Sequence, residues 1–221
     1  MQQLLLDLIT APPPTLAGFV VGKNHELLTL LGNIGTGEAK EKALYLWGEH
    51  GAGKSHLLRA LAAGNGMFLD AAPELRLDAS LASAPLLAID NVDRLGEAGA
   101  LDLFNIYNAV REANGTLLVS GPCPPAGLKL RADLTTRLGW GLVFQVHSLT
   151  DEEKIAALAA HADARGFHLG KDIGCYLLTH WRRDMGSLFT ALEMLDRYSL
   201  ETKRPVSVPL LRDALANNLK R

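Results

Sequence analysis

The chain has 221 residues, 48% of them hydrophobic, and a formal net charge of −2. This suffices for one large domain, or a medium one with a small companion, around a sizeable core, and it excludes the overall basic field behind non-specific nucleic-acid binding. Cys123 and Cys175 stand apart without metal-ligand spacing, which suits a reducing cytoplasm rather than a disulfide framework, and no apolar run reaches the roughly 18 residues of a membrane span.

The opening MQQLLLDL is rich in leucine, which suits an export signal, a core helix or a linear motif that enters another protein. An export signal would open with Lys or Arg, and Asp7 interrupts the apolar stretch. Pro12, Pro13 and Pro14 then remove consecutive backbone donors and favour a stiff, extended spacer, which argues against a helix docked on the body. From Phe19 onward short apolar runs alternate with helical patterns. Strands are predicted at 43–47, 66–70, 86–90, 116–120 and 142–146, each a continuous apolar run of the kind buried on both faces. KSHLLRALAA and ALDLFNIYNAVREA between them have helical spacing, so the pattern predicts an α/β fold: a five-stranded parallel sheet flanked by helices. At Thr150 the pattern changes. Thr150 and Glu153 occupy capping-box positions, Gly166 ends that helix, and three further helical segments follow without a strand. The expected organisation is an N-terminal peptide and linker at 1–18, an α/β nucleotide-binding core at 19–149 and a C-terminal helical lid at 150–221.

GEHGAGKS (48–55) lies between a strand and a helix and has the phosphate-loop pattern. Glycines at 48, 51 and 53 let the backbone fold tightly, so that N–H groups of Gly51, Ala52, Gly53, Lys54, Ser55 and His56 point at a nucleotide phosphate. Lys54 would neutralise phosphate charge and Ser55 would hold Mg²⁺. The run LLAIDN ends a buried strand in Asp90, where a carboxylate orders Mg²⁺ through water; a helix-capping Asp is the plainer use. Asn91 follows, where many hydrolases of this type have an acid, and an amide cannot act as a base. Slow self-catalysed hydrolysis is expected.

FVVGKNHELL, GEHGAGKSHLLRA, LLAIDNVDRL, LLVSGPCPP, DLTTRLGWGL and RRDMGSLFTALEMLD are similar, in order and spacing, to the AAA+ domain of the replication initiator DnaA, and closer still to its regulatory paralogues of the Hda family. The resemblance covers nearly the whole chain. It implies an AAA+ core with a helical lid and a bound ADP or ATP with Mg²⁺. It places Arg137 as an arginine finger offered in trans, a suitable job for an always-charged guanidinium. Without the family, a surface or salt-bridge arginine is the ordinary reading. Arg183, at the start of the helix RDMGSLFTALEML, matches the second-sensor arginine, with Arg182 its solvated neighbour. FVVGKN, with Val21 and Gly22, resembles the segment lining the adenine pocket, although the residues alone equally suit a core strand entry. Ser120 falls on the first sensor, but Gly121 stands where DnaA carries an acid.

The resemblance also implies partners. QLLLDL (3–8) is similar to the hexapeptide by which Hda proteins bind the DNA polymerase III sliding clamp (beta subunit), with Gln3 for a polar site and Leu4, Leu6 and Leu8 as its leucines. The expected function is negative regulation of replication initiation: a nucleotide-bound protein, tethered to a DNA-loaded clamp, that promotes hydrolysis of DnaA-bound ATP. DNA contact would then be indirect, no membrane is involved, and a homodimer stays open. The alternative is an ATP-cycling helicase loader or initiator-like ATPase acting on single-stranded DNA. Only residues 71–85 separate two strands where initiators carry extended inserts, and no helix-turn-helix segment follows the lid, so origin binding by this chain is not expected.

Overall fold

A computed structural model describes residues 13–218. Helix α1 (His25–Thr36) precedes strand β1 (Ala43–Trp47), and α2 (Lys54–Ala62) leads to β2 (Gly66–Asp70). After β3 (Leu86–Asp90) come α3 (Glu97–Glu112), β4 (Thr116–Gly121), α4 (Ala132–Leu138) and β5 (Leu142–Gln145). The strands form one parallel five-stranded sheet in the order β2-β3-β4-β1-β5. Parallel pairing places every strand's C-terminal end on one edge, where ligand loops collect.

Side chains alternate across the sheet. Leu44, Leu46, Ala88 and Leu118 face a core shared with Leu27, Leu31, Leu57 and Leu58 of α1 and α2. Tyr45, Leu87, Ile89, Leu117 and Val119 face the other way, onto Leu103, Ile106 and Leu134 of α3 and α4. Each such leucine contributes about 1.5–3 kcal/mol on burial. The central strands β1, β3 and β4 are buried on both faces, as their unbroken apolar runs predict. The expectation fails for β2 and β5: they are the edges, and Met67 and Val143 are 42% and 38% exposed. An edge strand looks like a central one in sequence because the difference lies in its neighbours.

The lid is α5 (Asp151–Ala164), α6 (Lys171–His180), α7 (Met185–Thr202) and α8 (Val208–Asn218), around a separate core of Leu158, Ile173, Leu177, Leu188, Leu192 and Leu211. The capping box forms: the Thr150 hydroxyl accepts from the Glu153 N–H at 3.2 Å, and the Glu153 carboxylate accepts from the Thr150 N–H at 2.7 Å. Helix α7 departs from expectation. Asp184 caps it by accepting the Ser187 N–H at 2.8 Å, so it starts at Met185 and Arg183 stays outside it. No described helix is long and apolar enough to cross a membrane.

Candidate nucleotide site

The loop after β1 turns on glycines. Gly48, Gly51 and Gly53 have φ of 153°, 81° and 100°, which β-carbon-bearing residues rarely adopt. A Cβ on Gly53 would also come within 2.5 Å of the Phe19 ring, so the residues before α1 form a lid over the loop's side. The first N–H returned to the helical ladder is that of Leu57, donated to the Gly53 carbonyl at 3.0 Å. The N–H groups of Lys54, Ser55 and His56 therefore lie ahead of any helical acceptor, at the positive end of the α2 dipole. This is an anion cradle.

Lys54 is buried, and its Nζ donates to the carbonyls of Gly48 at 2.7 Å and Glu49 at 2.9 Å. Burial pulls its ammonium below the usual lysine range, opposed by Asp90 and Asp93. Asp90, 1% exposed, ends β3 and accepts the hydroxyl proton of the fully buried Ser120 at the end of β4. Ser120 Oγ in turn accepts the Asn91 N–H at 3.1 Å. One serine thus locks the ends of two neighbouring strands. Asn91, in the left-handed region at φ 55°, turns its amide to Asp70 on β2, donating at 2.8 Å. A further polar group closes the floor: the Tyr45 hydroxyl donates to the Cys123 carbonyl at 2.8 Å and fills the space beside Gly121. That is why the residue after Ser120 has no side chain.

FVVGKN contains no strand; it is a chain of turns. Asn24, 2% exposed, pins it by donating to the carbonyls of Val21 and His147 at 3.1 and 3.0 Å and accepting the His147 N–H at 2.8 Å. Gly22, at φ 48°, lies against Leu149, so Val21 and Gly22 border the hinge where the core passes into the lid. From the other side the lid reaches the loop: a Cβ on Gly51 would stand 3.9 Å from the Asp184 Cβ. Arg183, next to that contact, donates to the Asp151 carboxylate and to the Leu178 carbonyl at 3.3 Å. Arg182 is exposed.

The structure does not bring Arg137 to its own chain's phosphate loop. It sits in the last turn of α4, three residues before Trp140, and Leu142 at the start of β5 pairs with Leu44 near the start of β1. The phosphate loop follows the opposite end of β1, about 15 Å away at the usual rise per strand residue. Arg137 donates to Asn108 Oδ1 at 2.7 Å, and its guanidinium lies 4.2 Å over the Trp140 ring and 5.2 Å from that of Phe104. Gln3, Leu4, Leu6 and Leu8 lie outside the described residues.

The cradle fits a nucleotide phosphate: N–H donors, glycine turns and a buried ammonium converge in it. Ser55 and Asp90 offer the hydroxyl and the carboxylate that would hold Mg²⁺ beside a bound phosphate. Tyr45, Asn24 and Asp70 escape sequence reasoning because each acts through a partner distant in the chain.

Residues 151–215 match the family model described as Hda, lid domain. The fold is shared with domain III of the replication initiation protein DnaA from Thermotoga maritima, at 17% identity and a TM-score of 0.70 over 93% of this chain and 97% of that one. A replication initiator DnaA bound to AMPPCP and single-stranded DNA matches at 18% identity and a TM-score of 0.67, over 84% of this chain and 65% of that chain's length. A RuvB mutant from Thermotoga maritima matches at 15% identity and a TM-score of 0.63, over 92% of this chain and 72% of that one. A parallel sheet, a phosphate loop and a helical lid thus give the chain the fold of these DnaA and RuvB domains, with a lid that matches the Hda lid-domain family over residues 151–215.

Proposed function

We propose that this chain holds ADP or ATP with Mg²⁺ in the Gly48–His56 cradle and acts on a second protein, an ATP-bound DnaA-type initiator, as a negative regulator of replication initiation. The observation that carries this reading is the position of Arg137: ordered by Asn108 and Trp140, and at the far end of the sheet from its own phosphate loop. A guanidinium so placed is of no use to the nucleotide of its own chain. Offered to the nucleotide of a neighbour, it neutralises charge building on the phosphoryl oxygens, an effect of about 10³–10⁵ in rate in systems of this kind.

The chain's own residues fit a protein whose hydrolysis is weak. Bound Mg²⁺ would supply charge neutralisation at the phosphates. Lys54 would exchange its two carbonyl partners for phosphate oxygens, and Asp90 would be held in place by the Ser120 hydroxyl. Asn91 takes up no proton, and its amide is engaged by Asp70, away from an attacking water. Arg183 would reach the phosphates from the lid on leaving Asp151. In the same reading Gln3, Leu4, Leu6 and Leu8 bind the sliding clamp, which confines action to clamp-loaded DNA in the cytoplasm. Two buried leucines give about 3–6 kcal/mol before ordering costs, so a single peptide binds weakly and gains from multiple clamp sites.

The test is a reconstitution of ATP hydrolysis with DnaA, ATP, DNA, clamp and this protein, leaving out each in turn. Stimulation that needs every component, and that Arg137→Ala abolishes while nucleotide and clamp binding persist, is the expected result. Stimulation retained by Arg137→Ala sinks the finger assignment. Unaltered clamp pull-down by a variant with Gln3, Leu6 and Leu8 changed to alanine removes the tether. Tight, salt-sensitive, ATP-dependent binding of single-stranded DNA would instead favour the helicase-loader reading.

A further inference from the structure

Next to Arg137 the surface holds a feature that the finger does not use. A recess of about 400 Å³ opens at the N-terminal edge of the sheet, lined by Lys40, Lys42, Tyr107, Arg111 and Trp140. Trp140 is 54% exposed, unusual for so large an aromatic. It is flanked by two guanidiniums, Arg137 at 4.2 Å and Arg111 at 6.0 Å from the ring centroid. Among the described residues, none of Lys40, Lys42, Arg111 and Arg137 is held in an ion pair; Lys42 Nζ donates only to the Asn114 carbonyl at 2.9 Å. Glu41 is the single acid of the lining. Three of the charged groups act on the buried Tyr107 of the lining: burial pushes its phenol up, Arg111 and Arg137 draw it down, and Glu41 adds to the rise.

Lys40, Lys42 and Arg111 in one recess, with Arg137 beside its tryptophan and a single acid among them, concentrate positive charge in a chain whose net charge is −2. Arginine and tryptophan are also the side chains that most often anchor protein interfaces. We infer that this recess docks an acidic side-chain cluster of the partner protein whose nucleotide Arg137 serves, with Arg111 and Lys40 supplying the attraction and Trp140 the apolar anchor. The inference rests on the proposed trans action of Arg137, because continuity with that side chain decides the occupant. A protein carboxylate suits the recess better than a nucleic-acid strand, because its volume of about 400 Å³ admits side-chain tips and not a continuous backbone. Docking and catalysis are then divided between adjacent residues, Arg111 and Lys40 setting association and Arg137 setting rate.

The experiment compares Arg111→Glu and Lys40→Glu with wild type and with Arg94→Glu, a half-exposed cation elsewhere. It measures both the Kd for ATP-bound DnaA and the maximal stimulated hydrolysis at saturation. Expected is a rise of about tenfold or more in Kd for the two recess variants, shrinking as salt is raised, with maximal stimulation near wild type. Arg137→Ala would show the reverse split, and Arg94→Glu neither change. The inference is overturned if both recess variants keep Kd within about twofold while Arg137→Ala still loses stimulation; the functional proposal then stands without it. Loss confined to self-association in sedimentation, or to binding of a single-stranded oligonucleotide, would assign the recess to a second copy or to nucleic acid and equally overturn it. Absence of stimulation by the wild-type protein would remove both.

Discussion

The Tyr45 hydroxyl occupies the position that a side chain on Gly121 would need, and it is fixed there by its hydrogen bond to the Cys123 carbonyl. Two strands that pair side by side, β1 and β4, thereby settle what can follow Ser120. An acid at 121 is excluded by packing on this scaffold.

Gly121→Ala is therefore expected to cost about 1–3 kcal/mol through overpacking, a fall of roughly 2–10 °C in Tm for a protein of this size. Pairing it with Tyr45→Phe removes the clashing oxygen, so the double variant should lose less than the sum of the singles. Thermal unfolding of all four proteins measures that coupling. Additive losses would separate the two residues.

Lys54 yields two pH dependences of opposite sign. Its native value lies below the ordinary lysine value because of burial, so between that value and about 10.4 the unfolded chain binds more protons than the folded one, and stability rises with pH across this window. Below it the cost of burying the ammonium is fully present. Phosphate affinity runs the other way and is lost as pH rises through the lowered value. Chemical unfolding and labelled-nucleotide titrations across this range check both, and Lys54→Met should flatten both slopes.

Arg183 is shared between Asp151 and, in the proposed bound form, the nucleotide. Asp151→Asn weakens the competitor and should tighten nucleotide binding by about two- to fivefold, whereas Arg183→Ala should weaken it by about tenfold or more. Both side chains are about half exposed, so Tm should hardly move in either variant. Equal affinities for wild type and Asp151→Asn would show that the pair does not compete with phosphate.

Thr150→Ala removes the acceptor for the Glu153 N–H. The expected loss is about 0.5–2 kcal/mol, localised to α5. Hydrogen exchange should show faster amides at Glu152 to Ile155 with the sheet unaffected, and uniform acceleration would refute a local effect.

The phosphate loop, Asp90 and the lid's first helix were legible because each is written in adjacent residues: glycines before Lys54, an acid at the end of an apolar run, a threonine three before a glutamate. Helix α1 and the short α4 that carries Arg137 lack such punctuation and became visible only in the fold. The start of α7 was misread at Arg183 because Asp184 is both a tolerated helix residue and a strong cap, and only its bond to the Ser187 N–H decides between them. The stack of Arg111, Trp140 and Arg137 joins α3 to the approach to β5, and no local pattern announces it.

Asn24 has a consequence for the order in which the molecule can be made. Its side chain joins residues separated by 123 positions, so the turn around Val21 has nothing to fasten to until His147 has been made. Closing so long a loop carries an entropic cost that the three hydrogen bonds of Asn24 help to offset. A nascent chain halted before His147 would thus own a phosphate loop but lack its fastened side wall, and nucleotide capture would report that synthesis had passed the core.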